Sequence, residues 1–378
     1  MITRIRVKNF KSLEDFEIKD LSLFACFIGL NGAGKTTLFQ FFDFVRALLL
    51  GRVKEWFERY KWNPSDIITI GSQKRSIEFE FDIKSLDRTV TWFARFNIQE
   101  MRCVYEKLIV NDEQSPKHLF LYEDNKLKIL EKDYPLPPNF KQEGSICSFL
   151  DPKPGEMYEL LGTKFFGVQD PSAIAQATQS SKKTSFGEVE ANGKGLTGFI
   201  AKLKPELQKD LFERLQVFYP SALDCKIKKR TYGWKNLLIS ELEKVYFDAS
   251  HLSYGTLRLL LMLSQLYSDD ACVLFDEIEN GINQELINKL LVQLQNFNGK
   301  QVMVTTHSAL VLNYLEDEVA KKSVVLLYKD TRGFTKAVKF FEIPEIAKQM
   351  EFMAPGQIMS QTNLIELSEK LKVQGEKK

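Results

Sequence analysis

The sequence predicts an α/β fold in which buried parallel strands are joined by an antiparallel sheet and interrupted by a partly helical insertion. Short apolar runs that end in glycine or polar residues recur near both ends of the 378-residue chain, as they do in sheets covered by helices. Several runs between them alternate apolar and polar residues, which is typical of antiparallel strands with one buried face. A stretch rich in proline, serine and lysine separates the two apolar regions.

The first core element is a strand, a glycine-rich loop and a helix in direct succession. The apolar run Leu21–Ile28 is short enough for a buried strand, and Gly29–Thr36 is a full G-x-x-x-x-G-K-[ST] phosphate loop. The next residues, Thr37–Val45, suit only a buried or amphipathic helix. In such a loop, backbone N–H groups and the helix N-terminus bind phosphates, lysine contacts the outer phosphates and the hydroxyl holds Mg²⁺. The sequence therefore predicts an ATP and Mg²⁺ site at Asn31, Gly32, Ala33, Gly34, Lys35, Thr36 and Thr37.

The antiparallel sheet is predicted from six alternating or strand-like runs. Ile2–Leu13 largely alternates, Phe16–Lys19 follows at hairpin distance, and Ser76–Ile83 alternates without a break. The less regular runs are Thr89–Phe96, Arg102–Val110 and Leu119–Tyr122. We expect this sheet to lie beside the nucleotide-binding core.

The composition changes near Tyr134, which predicts three parts: residues 1–133, an insertion over 134–245, and residues 246–378. Prolines and the patch Thr178–Ser185 predict loops in the insertion. A stripe of leucines from Leu203 to Leu215, with Pro205 near its start, predicts a helix there.

The last part predicts a βαβ unit: strand Ala271–Phe275, a helix over Leu286–Phe297, and strand Gln301–Val304. Ligands bind at the carboxyl ends of such strands, where the sequence places acids and a histidine. We expect Asp276 to bind Mg²⁺ together with Thr36. Glu277 is then suited to polarise the attacking water. His307 is predicted to donate a hydrogen bond to the γ-phosphate.

Leu252–Leu260 predicts a helix that begins at a serine and a glycine. One interpretation is a simple N-cap by Ser253. The other is a second anion-binding helix N-terminus. Because the first loop already binds the chain's own triphosphate, we expect Ser253 and Gly255 to contact the ATP of another copy.

Together these motifs resemble those of ABC-type ATPases of the RecF and SMC kind. The segments that carry the resemblance are, in order, Asn9–Leu13, Gly29–Thr36, Leu252–Arg258, Asp276–Asn280 and Thr306–Ser308. The closest likeness is to stand-alone prokaryotic AAA-family ATPases related to the overcoming-lysogenization-defect (OLD) proteins, without their Toprim nuclease domain. The likeness covers residues 1–133 and about 246–345.

The resemblance implies an ABC-type ATPase head and a role for each matching residue. Ser253 and Gly255 match the signature motif, Glu277 the catalytic base and His307 the switch histidine. ATP would be sandwiched between two heads that face head to tail. The chain departs from the family at three places: Ile278 replaces a common proline, Asn283 replaces a common histidine, and the Q-loop glutamine is left open between Gln73 and Gln99.

The basic cluster near residue 230 leaves nucleic-acid binding open. The net charge of +2 argues neither for nor against DNA. The cluster either contacts a phosphate backbone or is the solvated face of a hairpin that turns at Gly233. It comprises Lys226, Lys228, Lys229, Arg230 and Lys235, with Tyr232 and Trp234.

Three functions follow from these observations. The first is an ATP-driven motor or sensor in DNA-associated or anti-phage processes that controls a partner nuclease or toxin; a RecF-like repair ATPase is its alternative. The second is the nucleotide-binding subunit of a transporter, against which the Asn9–Leu13 strand weighs. The third, a nuclease in its own right, is rejected because the 71 residues after His307 contain Asp330 but no Asp-x-Asp pair. The scattered cysteines and the absence of a long apolar run predict a cytoplasmic protein with no membrane partner.

Overall fold

The apolar strands of the sequence lie side by side in one sheet. The computed structural model describes residues 1–85, 88–111, 117–150, 157, 163–166, 189, 193–229, 235–295 and 299–375. In this part of the chain the sheet has six strands in the order β10-β14-β15-β3-β16-β17. They are β3 (Phe24–Ile28), β10 (Thr163–Phe166), β14 (Cys272–Phe275), β15 (Gln301–Thr305), β16 (Val324–Lys329) and β17 (Thr335–Lys339).

The centre of this sheet is parallel and fully buried. Strand β3 pairs in parallel with β15 on one side and β16 on the other, and each of its five residues is buried. Cys26 and Cys272 are buried thiols in β3 and β14. The apolar sequence of β3 is uninterrupted because both faces of this strand are buried.

The described residues fall into two compact units, and the first contains most of this sheet. The first unit comprises Met1–Lys164, Asp270–Leu274 and Gly299–Lys378; the second comprises Phe165–Asp269 and Phe275–Asn298.

An antiparallel sheet, predicted from the alternating runs, is the second layer of the first unit. Its order in the described residues is β2-β1-β4-β5-β6-β7-β8-β9. The strands are β1 (Ile2–Phe10), β2 (Leu13–Ile18), β4 (Ser76–Ser85), β5 (Arg88–Asn97), β6 (Arg102–Asn111), β7 (Lys117–Glu123), β8 (Lys126–Ile129) and β9 (Lys132–Tyr134). In β4 the alternation is regular: Ile77, Phe79, Phe81 and Ile83 are buried, and the residues between them are polar.

Helix α1 (Lys35–Leu50) packs against both sheets of the first unit, which explains why it is apolar nearly all round. Phe41 stacks edge-on against Phe10 and Phe79 of the antiparallel sheet, at ring-centroid distances of 5.2 and 5.6 Å. Phe39 meets Phe27 of β3 at 5.8 Å. The phosphate loop is therefore fixed at both ends, by a central strand and by a buried helix.

The remaining helices of the first unit lie mostly after β15. They are α2 (Val53–Tyr60), α7 (Ala309–Asn313), α8 (Asp317–Ser323), α9 (Pro344–Ala347), α10 (Pro355–Gln361) and α11 (Leu364–Gly375). No helix in the described part of the chain is both long and apolar enough to span a bilayer.

The second unit combines helices with a small antiparallel sheet of order β11-β12-β13. Its elements are α3 (Leu196–Ile200), α4 (Pro205–Gln216), β11 (Asp224–Lys229), β12 (Lys235–Leu242), β13 (Val245–Asp248), α5 (Tyr254–Ser264) and α6 (Gln284–Gln295). The helix predicted after Pro205 is confirmed as α4. The βαβ unit is confirmed as β14, α6 and β15.

One feature of residues 134–245 was not predicted: strand β10 joins the six-stranded sheet next to β14. The antiparallel pair of β11 and β12 agrees with the hairpin considered for the basic cluster. The patch Thr178–Ser185 and the proposed turn at Gly233 lie outside the described residues.

Candidate functional site

The phosphate loop connects the carboxyl end of β3 to the N-terminus of α1 in the first unit. Gly34 is the N-cap of α1 with a φ of 109°, it supplies no side-chain cap, and the first turn contains no acidic residue. A Cβ atom at Gly34 would overlap the Thr335 hydroxyl, so glycine is required there. Gly32, with a φ of 77°, has no atom near the position of a Cβ and lies open to solvent. An exposed loop backbone at an uncapped helix N-terminus suits phosphate.

Lys35 and Thr36 begin α1 as the motif predicts. The Lys35 ammonium donates hydrogen bonds to the carbonyl oxygens of Gly29 at 2.8 Å and Leu30 at 3.1 Å. Lys35 is 6% exposed, so its charge is held at the loop rather than extended into solvent. Thr36 is half-buried in the first turn, and Asn31 is exposed at the loop. These residues fit a bound triphosphate because they offer N–H groups, one cation and one hydroxyl at a single position.

Thr335 of β17 binds the backbone of the phosphate loop through its hydroxyl group. The sequence did not predict this contact. The Thr335 hydroxyl donates to the carbonyl oxygen of Ala33 at 2.9 Å. It lies 2.8 Å from the Ser12 hydroxyl and accepts a hydrogen bond from the Lys329 ammonium at 3.0 Å. Thr335 is fully buried. No local motif marks it, because it lies about 300 residues from the loop it contacts.

The Asn9–Leu13 turn lies on the same side of the loop. Ser12 accepts a hydrogen bond from the Thr335 N–H through its carbonyl oxygen at 2.8 Å. The Lys11 ammonium lies 3.1 Å from the centre of the Trp62 ring and donates to Gln40 of α1. Burial lowers the pKa of Lys11 to about 8, against an opposing effect of Asp66. The turn is thus tied to the loop and to α1.

His307 follows β15 at the edge of the sheet that carries the phosphate loop. Thr305 of β15 pairs with Phe27 of β3, and the Thr306 N–H donates to the Phe27 carbonyl at 3.1 Å. Because the strands are parallel, Gly29 and His307 both leave the sheet at its carboxyl edge. His307 is exposed there.

Ser253 and Gly255 form the N-terminus of α5 in the second unit. The Ser253 hydroxyl caps the helix by accepting the Thr256 N–H at 3.2 Å, and Ser253 itself is exposed. A Cβ atom at Gly255 would overlap the Gly281 carbonyl oxygen. The predicted cap is therefore confirmed, and glycine follows from a close backbone approach.

Asp276 and Glu277 begin a tight turn directly after β14, also in the second unit. Asp276 is 9% exposed, whereas the Glu277 side chain is exposed. Glu277 has a φ of 49°, which is uncommon for a residue with a side chain. Asn280 donates from its N–H to the Glu277 carbonyl at 2.9 Å and from its amide to the Glu277 carboxylate at 3.3 Å. The turn thus fixes both the backbone and the carboxylate of Glu277.

The positions at which the sequence departs from the family pattern have structural roles or are exposed. Asn283, where a histidine is common, accepts the Glu285 N–H at 3.1 Å and caps the start of α6. Ile278 is fully buried. Gln73 and Gln99 are both exposed in the first unit, so the Q-loop glutamine stays open between them.

The comparisons with known proteins agree with this fold. The sequence matches the model of the AAA ATPase domain family over residues 1–226. It also matches the family described as "AAA domain, putative AbiEii toxin, Type IV TA system" over residues 195–313. A comparison with curated proteins gives no match.

Among solved structures, a SMC head bound to the C-winged helix domain of ScpA is similar, with a TM-score of 0.53, 13% identity and coverage of 89% of this chain and 96% of that one. A Smc head with an extended coiled coil, bound to the C-terminal domain of ScpA derived from Pyrococcus furiosus, gives a TM-score of 0.49, 13% identity and coverage of 93% and 99%. The SMC head domain from Thermotoga maritima gives 0.45, 12% identity and coverage of 89% and 98%.

The first structural likeness and the described sheets define an ATPase head fold of the SMC and ABC type. The family model spans more than half of the sequence. The chain belongs to the AAA ATPase domain family.

Proposed function

We propose that this chain is an ABC-type ATPase that hydrolyses ATP in composite sites formed by two copies arranged head to tail. The observation that carries the proposal is the presence of two helix N-termini suited to phosphate. One is the glycine loop at α1, and the other is the Ser253 cap of α5. A single nucleotide needs one phosphate loop, so the second N-terminus is assigned to the nucleotide of the other copy.

Each site residue has a defined task in this proposal. Lys35 and the loop N–H groups bind the phosphates. Thr36 and Asp276 would hold Mg²⁺, which neutralises phosphate charge when bound. Glu277 accepts a proton from the attacking water, and His307 donates a hydrogen bond to the γ-phosphate.

The arrangement along the chain follows from the same proposal. Residues 1–133 and 246–378 form the ATPase head, and residues 134–245 form an insertion into it. Two copies bound head to tail have cyclic symmetry, so each copy contributes its loop to one site and its signature helix to the other.

We infer that the ATPase acts as a motor or sensor for a partner effector, a nuclease or toxin, in DNA-associated or anti-phage defence of an OLD-like kind in the cytoplasm. The match to a family described as "AAA domain, putative AbiEii toxin, Type IV TA system" supports a place in a toxin–antitoxin type of defence. A RecF-like repair ATPase is the second candidate. Lys229 lies opposite Lys235 across the β11–β12 pair, and such like charges destabilise a sheet. A phosphate backbone bound there would offset this cost in either DNA-associated candidate.

Glu277→Gln tests the proposed function by separating binding from hydrolysis. The variant loses the base and keeps the phosphate loop, so ATP should bind while turnover falls by about 100- to 10,000-fold. ATP with Mg²⁺ should then accumulate a dimer, measured by light scattering after gel filtration. Lys35→Ala is the control that should neither bind ATP nor dimerise. An unchanged rate in Glu277→Gln, or a monomer at saturating ATP, would contradict the proposal.

A further inference from the structure

Arg258 connects α5, the signature helix that begins at Ser253, to the turn that follows β14. This turn contains the two acids Asp276 and Glu277 and is called the acid turn below. Arg258 lies in the second turn of α5 and is 2% exposed. One guanidinium nitrogen donates to the main-chain carbonyl oxygens of Asp276 at 2.5 Å and Glu277 at 2.6 Å. The other donates to the Tyr254 hydroxyl at 3.1 Å. All four residues belong to the second unit.

The energetics of Arg258 do not favour a role in stability. Its partners in the described chain are carbonyl oxygens and a phenol rather than a carboxylate, and its Nε atom has no hydrogen-bond partner. A buried guanidinium without a counter-ion carries a desolvation cost that neutral acceptors offset only in part. The hydrogen bonds of Arg258 instead fix the positions of two successive carbonyl groups, those of Asp276 and Glu277.

The far end of the acid turn is held by the same helix. Gly281, with a φ of 73°, lies under the Tyr254 ring, and its carbonyl oxygen approaches Gly255 so closely that a Cβ atom would not fit. The first two turns of α5 therefore hold the acid turn at Asp276–Glu277 and at Gly281. A movement of the α5 N-terminus has to move the Glu277 backbone with it, because these contacts leave little free space.

We propose that Arg258 is a positioning residue that couples the two composite sites, an inference that rests on the proposed function. Ser253 and Gly255 bind the nucleotide held by the partner's loop, whereas Glu277 serves the nucleotide held by its own loop. Arg258 links these two groups within one chain. Binding of one ATP at the α5 N-terminus therefore sets the Glu277 backbone for hydrolysis at the other site, which makes turnover cooperative in ATP.

The test compares Arg258→Met and Arg258→Lys with the wild type. Methionine fills a similar volume without hydrogen bonds, and lysine retains a donor. We expect Arg258→Met to bind ATP within about twofold of wild type, to lose at least about tenfold in kcat through a displaced base, and to lower the Hill coefficient for ATP from above 1 to 1. Arg258→Lys should restore part of both quantities.

Arg214→Met is the matched control. Arg214 lies in α4 of the same unit and bonds Asp210, Tyr267 and Gln293, so its loss disturbs packing without touching the acid turn. This control should keep the wild-type Hill coefficient. The coupling is overturned if Arg258→Met keeps wild-type kcat and Hill coefficient, if Arg214→Met loses cooperativity equally, or if the wild type hydrolyses ATP with a Hill coefficient of 1. Absence of ATP turnover in the wild type would instead overturn the proposed function. If Arg258→Met does not fold, Arg258→Lys carries the same comparison.

Discussion

Thr335→Val should loosen the phosphate loop without removing any group that touches nucleotide. Valine keeps the shape of threonine and replaces its hydroxyl by a methyl group. The change removes three contacts of the Thr335 hydroxyl, with the Ala33 carbonyl, the Ser12 hydroxyl and the Lys329 ammonium. It also sets a methyl group where the oxygen lies 2.9 Å from the Ala33 carbonyl, which is too close for carbon.

The loss of stability in Thr335→Val depends on which partners of the hydroxyl can form hydrogen bonds with water instead. Ser12 and Lys329 are half-buried and regain solvent, so their loss costs little. Ala33 is 3% exposed, and its carbonyl loses a buried donor, which costs roughly 1–3 kcal/mol. We expect the free energy of unfolding to fall by about 2 kcal/mol. If most of this energy orders the loop, ATP affinity should fall by about tenfold, since 1.4 kcal/mol is a factor of ten.

Urea unfolding and calorimetric titration with ATP measure the two quantities. Thr335→Ser is the matched control, because it keeps the hydroxyl and loses a buried methyl group. It should be destabilised by about 1 kcal/mol and should bind ATP within about twofold of wild type. Wild-type ATP affinity in Thr335→Val, or an equal loss in both variants, would refute the role of the hydroxyl.

Two further predictions concern residues away from the loop. Glu106 is fully buried, and burial raises its pKa to about 8, so the fold binds its proton more tightly than the unfolded chain does. The free energy of unfolding should therefore fall as pH rises from 5 to 8, by up to about 1.4 kcal/mol per pH unit. Urea unfolding at several pH values should show this slope in the wild type and not in Glu106→Gln. Equal slopes in the two proteins would contradict the prediction. Lys228 and Lys229 are exposed on β11, so replacing both with alanine should reduce the slope of log DNA affinity against log salt by about 0.9 per lost phosphate contact. An unchanged slope would mean that the cluster is only solvated.

Local patterns predicted the phosphate loop, the α5 cap and the βαβ unit because each depends on neighbouring residues. Gly29–Thr36 has its buried strand and buried helix, and Ser253 caps α5. The alternating runs predicted most of the antiparallel sheet for the same reason, since the side-chain period of a strand is a local property. The ABC-type head fold followed from these elements together.

The features that the sequence did not predict depend on contacts between distant residues or on a shift in strand register. Thr335 has no neighbour in sequence that marks it as a partner of the loop. Strand β10 has only four residues and pairs with β14, about 100 residues later. In β6 the pairing slips by one residue between Cys103 and Tyr105, which turns Glu106 to the buried face. Alternation alone could not show that slip.

Mixing two inactive variants tests the shared site most directly. Lys35→Ala removes the loop cation and keeps the signature, and Ser253→Arg blocks the signature and keeps the loop. Each should be inactive alone, whereas a heterodimer contains one intact composite site. If chains exchange at random, half of the dimers are mixed and each has one working site, so an equal mixture should recover about a quarter of wild-type ATPase activity if the sites are independent. The coupling through Arg258 lowers this fraction, because the second site of each heterodimer binds no ATP. No recovered activity, with heterodimers shown to form, would mean that the sites are either not shared between two copies or work only as a pair.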